Sequence, residues 1–295
     1  MITLAVALAL LPLAEVKVER VEYHGWSDSY RISNDLVDVV VVPKIGRVMR
    51  YGFLGMPNQL WENSALAGKA STGKDWNNFG GDKMWSAPQS DWNWPPDPDI
   101  DGSAWTAEPI PNGVRITSPR GKKSKVRFVR DITLAPLSTD VHFRNRMDNL
   151  GARREMAPWQ ITQIVDPYSV FLPFEPTGQN PKGWRAIEGK RLDPALHELT
   201  ADGLRIKRGD RIAYKIGAFS SKGEITASQF GSSVFHFSTR TYRNQRYADG
   251  GSAMEVFTSA GADKYVELEL LGPLSRMDNG EGAYLETTWR LTQGK

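Results

Sequence analysis

Two glutamates spaced two residues apart offer the first chemistry. In Tyr265-Val266-Glu267-Leu268-Glu269-Leu270-Leu271, strand alternation sets Glu267 and Glu269 on one face and Val266, Leu268 and Leu270 on the other. Along such a strand their carboxylates stand about 7 Å apart. Deprived of water, the two repel, and one pKa rises toward the range of a general base. On an exposed face they are simply two solvated acids. His142, Arg144 and Arg146 share a face in the same way, opposite Val141, Phe143 and Met147. His236, between Phe235 and Phe237, reads as a satisfied histidine at a core edge, and His24 and His197 carry no local signal. There is no H-x-x-x-H or H-x-H pair and no cysteine, so no zinc site, disulfide or thiolate nucleophile is expected.

The second constellation is aromatic. Seven of the ten Trp precede residue 106, and Trp76, Trp85, Trp92, Trp94 and Trp105 are interleaved with Asn77, Asn78, Asp82, Lys83, Gln89, Asp91 and Asn93. An indole offers a flat apolar face and one N–H donor, while amides and carboxylates bond in both directions. A pyranose, with apolar C–H faces and a rim of hydroxyls, needs that combination. The competing reading is that these rings staple a long loop to the body of the protein. Asp97-Pro98-Asp99-Ile100-Asp101-Gly102 and Glu108 match the D-x-D-x-D-G-x5-E calcium spacing, but the flanking prolines at 95, 96, 109 and 111 exclude the usual helices. An acidic loop without metal is the expectation. Gly68–Lys74 fails as a P-loop because Asp75 stands where Ser or Thr is required. The basic run Arg120, Lys122, Lys123, Lys125, Arg127, Arg130 reads as a solvated hairpin, and no nucleic-acid partner is expected.

These side chains must be positioned by strands. Apolar–polar alternation recurs in Val37–Val42, Val48–Phe53, Val114–Thr117, Lys125–Leu134, Val141–Met147 and Glu155–Val165. It continues through Arg211–Ala218, Glu224–Phe230, Val234–Thr239, Ala253–Thr258, Tyr265–Leu271 and Ala283–Leu291. The best helical turn is Asp193–Leu199, with Pro194 at its first position. The stretch from Asn63 to Ala104 is irregular and too long for a mere connection, which marks a functional loop. With 295 residues, 40% hydrophobic and 24% charged, the chain suits one all-β domain, a large sandwich, over residues 16–295. Lys+Arg less Asp+Glu is 37 − 34 = +3, too little to imply a polyanionic partner. Ile2 to Ala14 is an apolar run too short to span a bilayer. It fits the core of a signal peptide over residues 1–15, although no basic residue precedes it. The mature chain is then periplasmic or secreted, with no membrane span.

Several motifs resemble a known superfamily. Ile45-Gly46-Arg47-Val48-Met49 with Asn58-Gln59-Leu60-Trp61 is similar to the start of galactose mutarotase-like proteins. Tyr265–Glu269 followed by Tyr284-Leu285-Glu286-Thr287-Thr288-Trp289 is similar to their last strands. Asn78-Phe79-Gly80-Gly81-Asp82-Lys83-Met84-Trp85-Ser86-Ala87-Pro88-Gln89 and Ala157-Pro158-Trp159-Gln160-Ile161-Thr162-Gln163 resemble an uncharacterised family within that superfamily. The resemblance runs over roughly residues 20 to 292 and implies a β-supersandwich with a sugar groove on one face. It also implies a late-strand glutamate that takes the anomeric proton, at the position of Glu269, with a histidine protonating the ring oxygen. No histidine matches: Trp159 and Gln163 stand there instead, and Lys83, His142 and His236 are the candidate substitutes.

The leading expectation is an exported protein that binds a sugar in a Trp-lined groove and shuttles protons at its anomeric centre without metal or organic cofactor. Glu269 is the expected base. Trp85 and Trp159 are the expected stacking platforms, and Arg47, Asn78, Asp82, Lys83 and Gln163 the polar contacts. The alternatives are a non-catalytic glycan-binding module and a polysaccharide lyase, in which the His142/Arg144/Arg146 face neutralises a uronate.

Overall fold

The computed structural model describes residues 15–71, 73, 76–188, 193–229 and 233–294. The expected signal segment, residue 15 apart, and Phe230 of the expected strand Glu224–Phe230 lie outside them. Within the described residues the period-two pattern becomes twenty-one strands in two antiparallel sheets. The first sheet contains β1 (Lys17–Tyr23), β2 (Trp26–Ser33), β3 (Val37–Val42), β4 (Arg47–Phe53), β5 (Asp82–Ala87) and β10 (Arg154–Val165). It is completed by β12 (Trp184–Glu188), β15 (Tyr214–Ala218), β18 (Met254–Thr258), β19 (Tyr265–Leu271) and β20 (Ser275–Met277). Its order is β1-β2-β3-β4-β5-β10-β19-β18-β15-β12, with β20 paired to β10.

The second sheet contains β6 (Thr106–Ile110), β7 (Gly113–Thr117), β8 (Val126–Leu134), β9 (Val141–Asn149) and β11 (Ser169–Pro173). Its other strands are β13 (His197–Leu199), β14 (Gly203–Ile206), β16 (Glu224–Ser228), β17 (Ser233–Thr239) and β21 (Gly282–Gln293). They run β13-β14-β11-β16-β17-β21-β9-β8-β7-β6. No helix among the described residues is long and apolar enough to cross a membrane.

The inner faces meet in one core that includes Val39, Val41, Ile132, Phe143, Leu268 and Trp289, all buried. Each such side chain contributes about 1.5–3 kcal/mol, so burial holds the layers face to face without disulfides. A polar knot is set in this core. Asp82 on β5 accepts from Arg130 on β8, from Gln160 Nε2 at 2.8 Å and from Thr162 Oγ1 at 2.8 Å. Asn145 and Thr287, on the second sheet, donate to Gln160 Oε1 at 2.8 and 2.6 Å. Because unpaired buried polar groups are costly, this closed ring fixes how the sheets register against each other.

Two expectations are corrected. The stretch from Asn63 to Ala104 is not irregular throughout, because β5 runs through it and pairs with β10 in the middle of the first sheet. Asp193–Leu199 is not helical. Asp193 caps one turn, accepting from Ala195 N at 2.9 Å, and His197–Leu199 then continues as a strand. Pro194 favours the turn, but the chain beyond it pairs with β14.

Candidate functional site

The outer face of the first sheet carries its chemistry in adjacent rows, because partners in register point the same way. One row crosses the strands as Lys83, Ile161, Glu269, Glu255, Gly217 and Arg185. Its neighbour runs Gln163, Glu267, Phe257, Lys215 and Glu188. On the other side lie Trp85, Trp159 and Leu271. Above these rows is a cavity of about 380 Å³, walled by Trp76, Trp85 and Trp94 and floored by Trp159, Lys215 and Glu267.

Two lysine–carboxylate clusters make the floor. Lys83 Nζ donates to Glu267 Oε1 at 3.0 Å, and Gln163 Nε2 donates to the same oxygen at 2.8 Å. Lys215 Nζ lies 2.6 Å from Glu255 and 2.9 Å from Glu269. Trp159 Nε1 donates to Glu269 Oε2 at 2.7 Å, and the Lys215 ammonium sits 4.2 Å from the centre of that indole. Glu269 is therefore wholly buried behind Lys215 and Trp159, whereas the Glu267 side chain keeps 12% of its surface open. Burial raises the Glu269 pKa to about 7, with Lys215 opposing the rise. Burial also pushes Glu255 well above the usual carboxylate range, again opposed by Lys215. Burial works against the charge on Lys215, but its two carboxylates outweigh that and hold its pKa above the ordinary lysine value.

The loop around the cavity is built to be stiff. Gly80 and Gly81 have φ of 94° and 68°, and a Cβ on them would come within 2.2 Å of Trp61 O and 2.3 Å of Val48 O. The Gly-Gly of the Asn78–Gln89 motif is thus a steric requirement for entering β5. Arg47 donates to Gly80 O at 2.9 Å and pairs with Asp101, which also accepts from Trp76 Nε1 at 2.7 Å. The calcium-like spacing is used for stapling. Asp97 Oδ2 accepts from Lys123 N at 2.9 Å and from Ser124 N at 2.6 Å, and Asp99 accepts from Lys122 N at 3.1 Å. The basic hairpin therefore clamps the loop. Trp92 bonds Ser86 O at 2.7 Å and Trp105 bonds Ile100 O at 3.0 Å, so both rings serve the loop's structure.

Of the residues singled out from the sequence, Trp85 and Trp159 line this cavity, while Lys83, Gln163 and Glu269 are buried just behind its lining, bonded to Glu267, Trp159 and Lys215. Asn78 is not among the lining residues. Asp82 and Arg47 lie elsewhere. Asp82 neighbours Lys83 on a strand, so the pleat sends it to the opposite face and into the polar knot. Arg47 is buried against Asp101 and Phe79 beneath the loop. The stacking assignment also changes. Trp159 is 1% exposed and Trp85 7%, each with a lysine over its ring, while Trp94 is 54% exposed at the cavity mouth. His142 and Arg144 lie on the outer face of the second sheet, away from the cavity, in a hollow where Arg144 pairs with Glu286 at 3.7 Å. His236 is on that face too, within 3.4 Å of Glu224. The lyase reading thereby loses its uronate-neutralising face. Lys215 and Glu255 were missed, because each looks in sequence like the solvated half of an alternating strand.

No protein-family model and no curated protein matches the sequence. Among solved structures, the chain is similar to an Escherichia coli K12 protein provisionally named an aldose 1-epimerase. The two share 10% identity over 94% of this chain and 99% of that one, with a TM-score of 0.57. A galactose mutarotase related enzyme from Lactobacillus acidophilus shares 11% identity over 90% and 98%, with a TM-score of 0.53. A Salmonella typhimurium protein provisionally named a mutarotase shares 10% over 94% and 97%, also at 0.53. At such identities the likeness speaks to the fold, which is the galactose mutarotase-like β-sandwich.

Proposed function

We propose that the protein binds a sugar in the Trp-walled cavity and interconverts its anomers by proton transfer. The observation that carries this reading is the pair of cavity-facing groups, Glu267 and Lys215, with Glu269 directly behind the lysine. Glu267 accepts the proton of the anomeric hydroxyl as the C1–O5 bond breaks and its electron pair moves to the ring oxygen. Lys215 gives that oxygen a proton and is refilled from Glu269. Rotation about C1–C2 and closure on the other face return each proton by the same path. A carboxyl group titrating near neutrality suits such a relay. Trp94 supplies the apolar face, and the otherwise unpartnered Trp85 Nε1 a donor for a hydroxyl. The fold shared with proteins provisionally named epimerases adds weight by analogy. Export remains part of the proposal, on the apolar run Ile2–Ala14.

The test is saturation-transfer NMR of the full mature chain with mono- and oligosaccharides, following α and β anomeric signals in the same tubes. Binding with accelerated exchange is expected. Glu267→Gln should keep binding and lose exchange by about a hundredfold or more. Glu269→Gln should slow exchange, and the rate should fall as pH rises through about 7 and Glu269 gives up its proton. A non-catalytic binding module is the second reading, favoured by the closed burial of Lys215 and Glu269. Binding without exchange in any tube selects it, and no binding to any sugar ends the carbohydrate reading.

A further inference from the structure

The relay described above leaves Glu255 without a task, although it is one of the most unusual side chains in the molecule. It is fully buried on β18, an interior strand of the first sheet, in register with Glu269 on β19. Both carboxylates reach one ammonium, that of Lys215, at 2.6 and 2.9 Å. The surroundings offer little further compensation. Asp249, in the turn before β18, adds negative charge near Glu255, and Glu267 adds more near Glu269. On the positive side, Lys83 is bonded to Glu267 and only partly offsets the charge on Glu269, and Arg185, at the end of the row, lies out on the surface against Gly250. Trp159 Nε1 serves only Glu269, and Gly217 opposite Glu255 has no side chain to offer. Two buried carboxylates facing a single buried cation are costly to keep ionised together when neither sees water, so the resting pair holds a proton.

We propose that Glu255 is a positioning residue for the anomeric proton transfer: with Lys215 it makes Glu269 one half of a pair that holds a single proton. The inference rests on the function proposed above and explains how a floor without histidine keeps a proton in store. With one proton on the pair, the cluster of Lys215, Glu255 and Glu269 is neutral, which suits its burial away from water. When Lys215 protonates the ring oxygen, the stored proton passes from Glu269 to Lys215, so the lysine never stays uncharged and the pair becomes two carboxylates around one ammonium. The cluster then carries one negative charge more, Glu267 carries one fewer, and the total is conserved. Glu255 touches neither sugar nor cavity. It acts through the charge it imposes on Lys215 and Glu269.

The test is a carboxyl-carbon NMR titration of the full chain labelled at glutamate Cδ, with signals assigned from Glu255→Gln and Glu269→Gln. The unmodified protein should show one proton on the pair near pH 6 and coupled titration of the two signals. In Glu255→Gln, Glu269 pairs one-to-one with Lys215, and its midpoint should fall by about one pH unit or more. The falling limb of the anomer-exchange rate should move to lower pH by the same amount, which a merely structural role of Glu255 would not cause. Two fully ionised carboxylates at pH 6 in the unmodified protein overturn the proposal, and that measurement needs no variant to fold. An unmoved Glu269 midpoint in Glu255→Gln also overturns it. A shifted midpoint without anomer exchange at any pH sinks the catalytic reading alone and leaves Glu255 tuning a binding floor.

Discussion

The Glu269 carboxyl ties stability to pH as well as to any reaction. Its folded-state pKa of about 7 lies above the ordinary value of 4.5, so the folded state binds the proton more tightly than the unfolded chain. The stability gained is fully present below pH 4.5 and is lost as pH rises through about 7. Chemical unfolding at several pH values should therefore show the unmodified protein losing on the order of 3 kcal/mol across this window relative to Glu269→Gln. An equal pH slope in both would mean that the carboxyl is not desolvated. Sequence could place Glu267 and Glu269 on a common face, because alternation alone decides that. It could not supply their counter-ions. Lys83 and Lys215 lie far from them in the chain, and only strand register brings them within 3.0 Å.

Strand β5 explains the main displacement between expectation and structure. Its residues sit inside a stretch dense in Trp, Asn, Pro and Gly, composition that reads as loop, yet Asp82–Ala87 pairs with β10 along its whole length. Once it is a strand, Asp82 and Lys83 must face opposite ways, one into the polar knot and one to the outer face, where it bonds Glu267. Asp82→Ala leaves Arg130 buried and unpaired, and breaking such a pair costs about 3–5 kcal/mol. Urea unfolding should register that loss while the ligand affinity of the folded fraction holds. A large affinity change instead would place Asp82 in the site. The glycines of the same motif were legible as motif but not as cause. Their need appears only when the carbonyls of Trp61 and Val48 are seen closing over them.

At the scale of the whole molecule, alternation sufficed for the fold class, since one buried face per strand is what a sandwich requires. The order of the strands was beyond it: β5, β10 and β19 are neighbours in space though widely separated in sequence, and no local signal fixes such pairings. That order decides which outer face collects the aromatic rings and paired charges and which collects isolated surface pairs. Replacing both His142 and Arg144 by alanine, on the second sheet, should therefore leave sugar binding in the NMR screen unchanged. Lost binding would move the site to the other side of the molecule. The cavity wall has one more consequence. Trp76, Trp85, Trp92, Trp94 and Trp159 form an array of edge-to-face indoles, branched at Trp85, with neighbouring centroids 4.8 to 6.2 Å apart. Excited states do not stay on one ring at such spacing. Light absorbed anywhere in the array migrates through it before emission, and ammonium groups over Trp85 and Trp159 sit where they can quench it. The protein thus carries its own optical antenna, with its exposed member, Trp94, linking Trp76 to Trp85 at the door through which a ligand would pass.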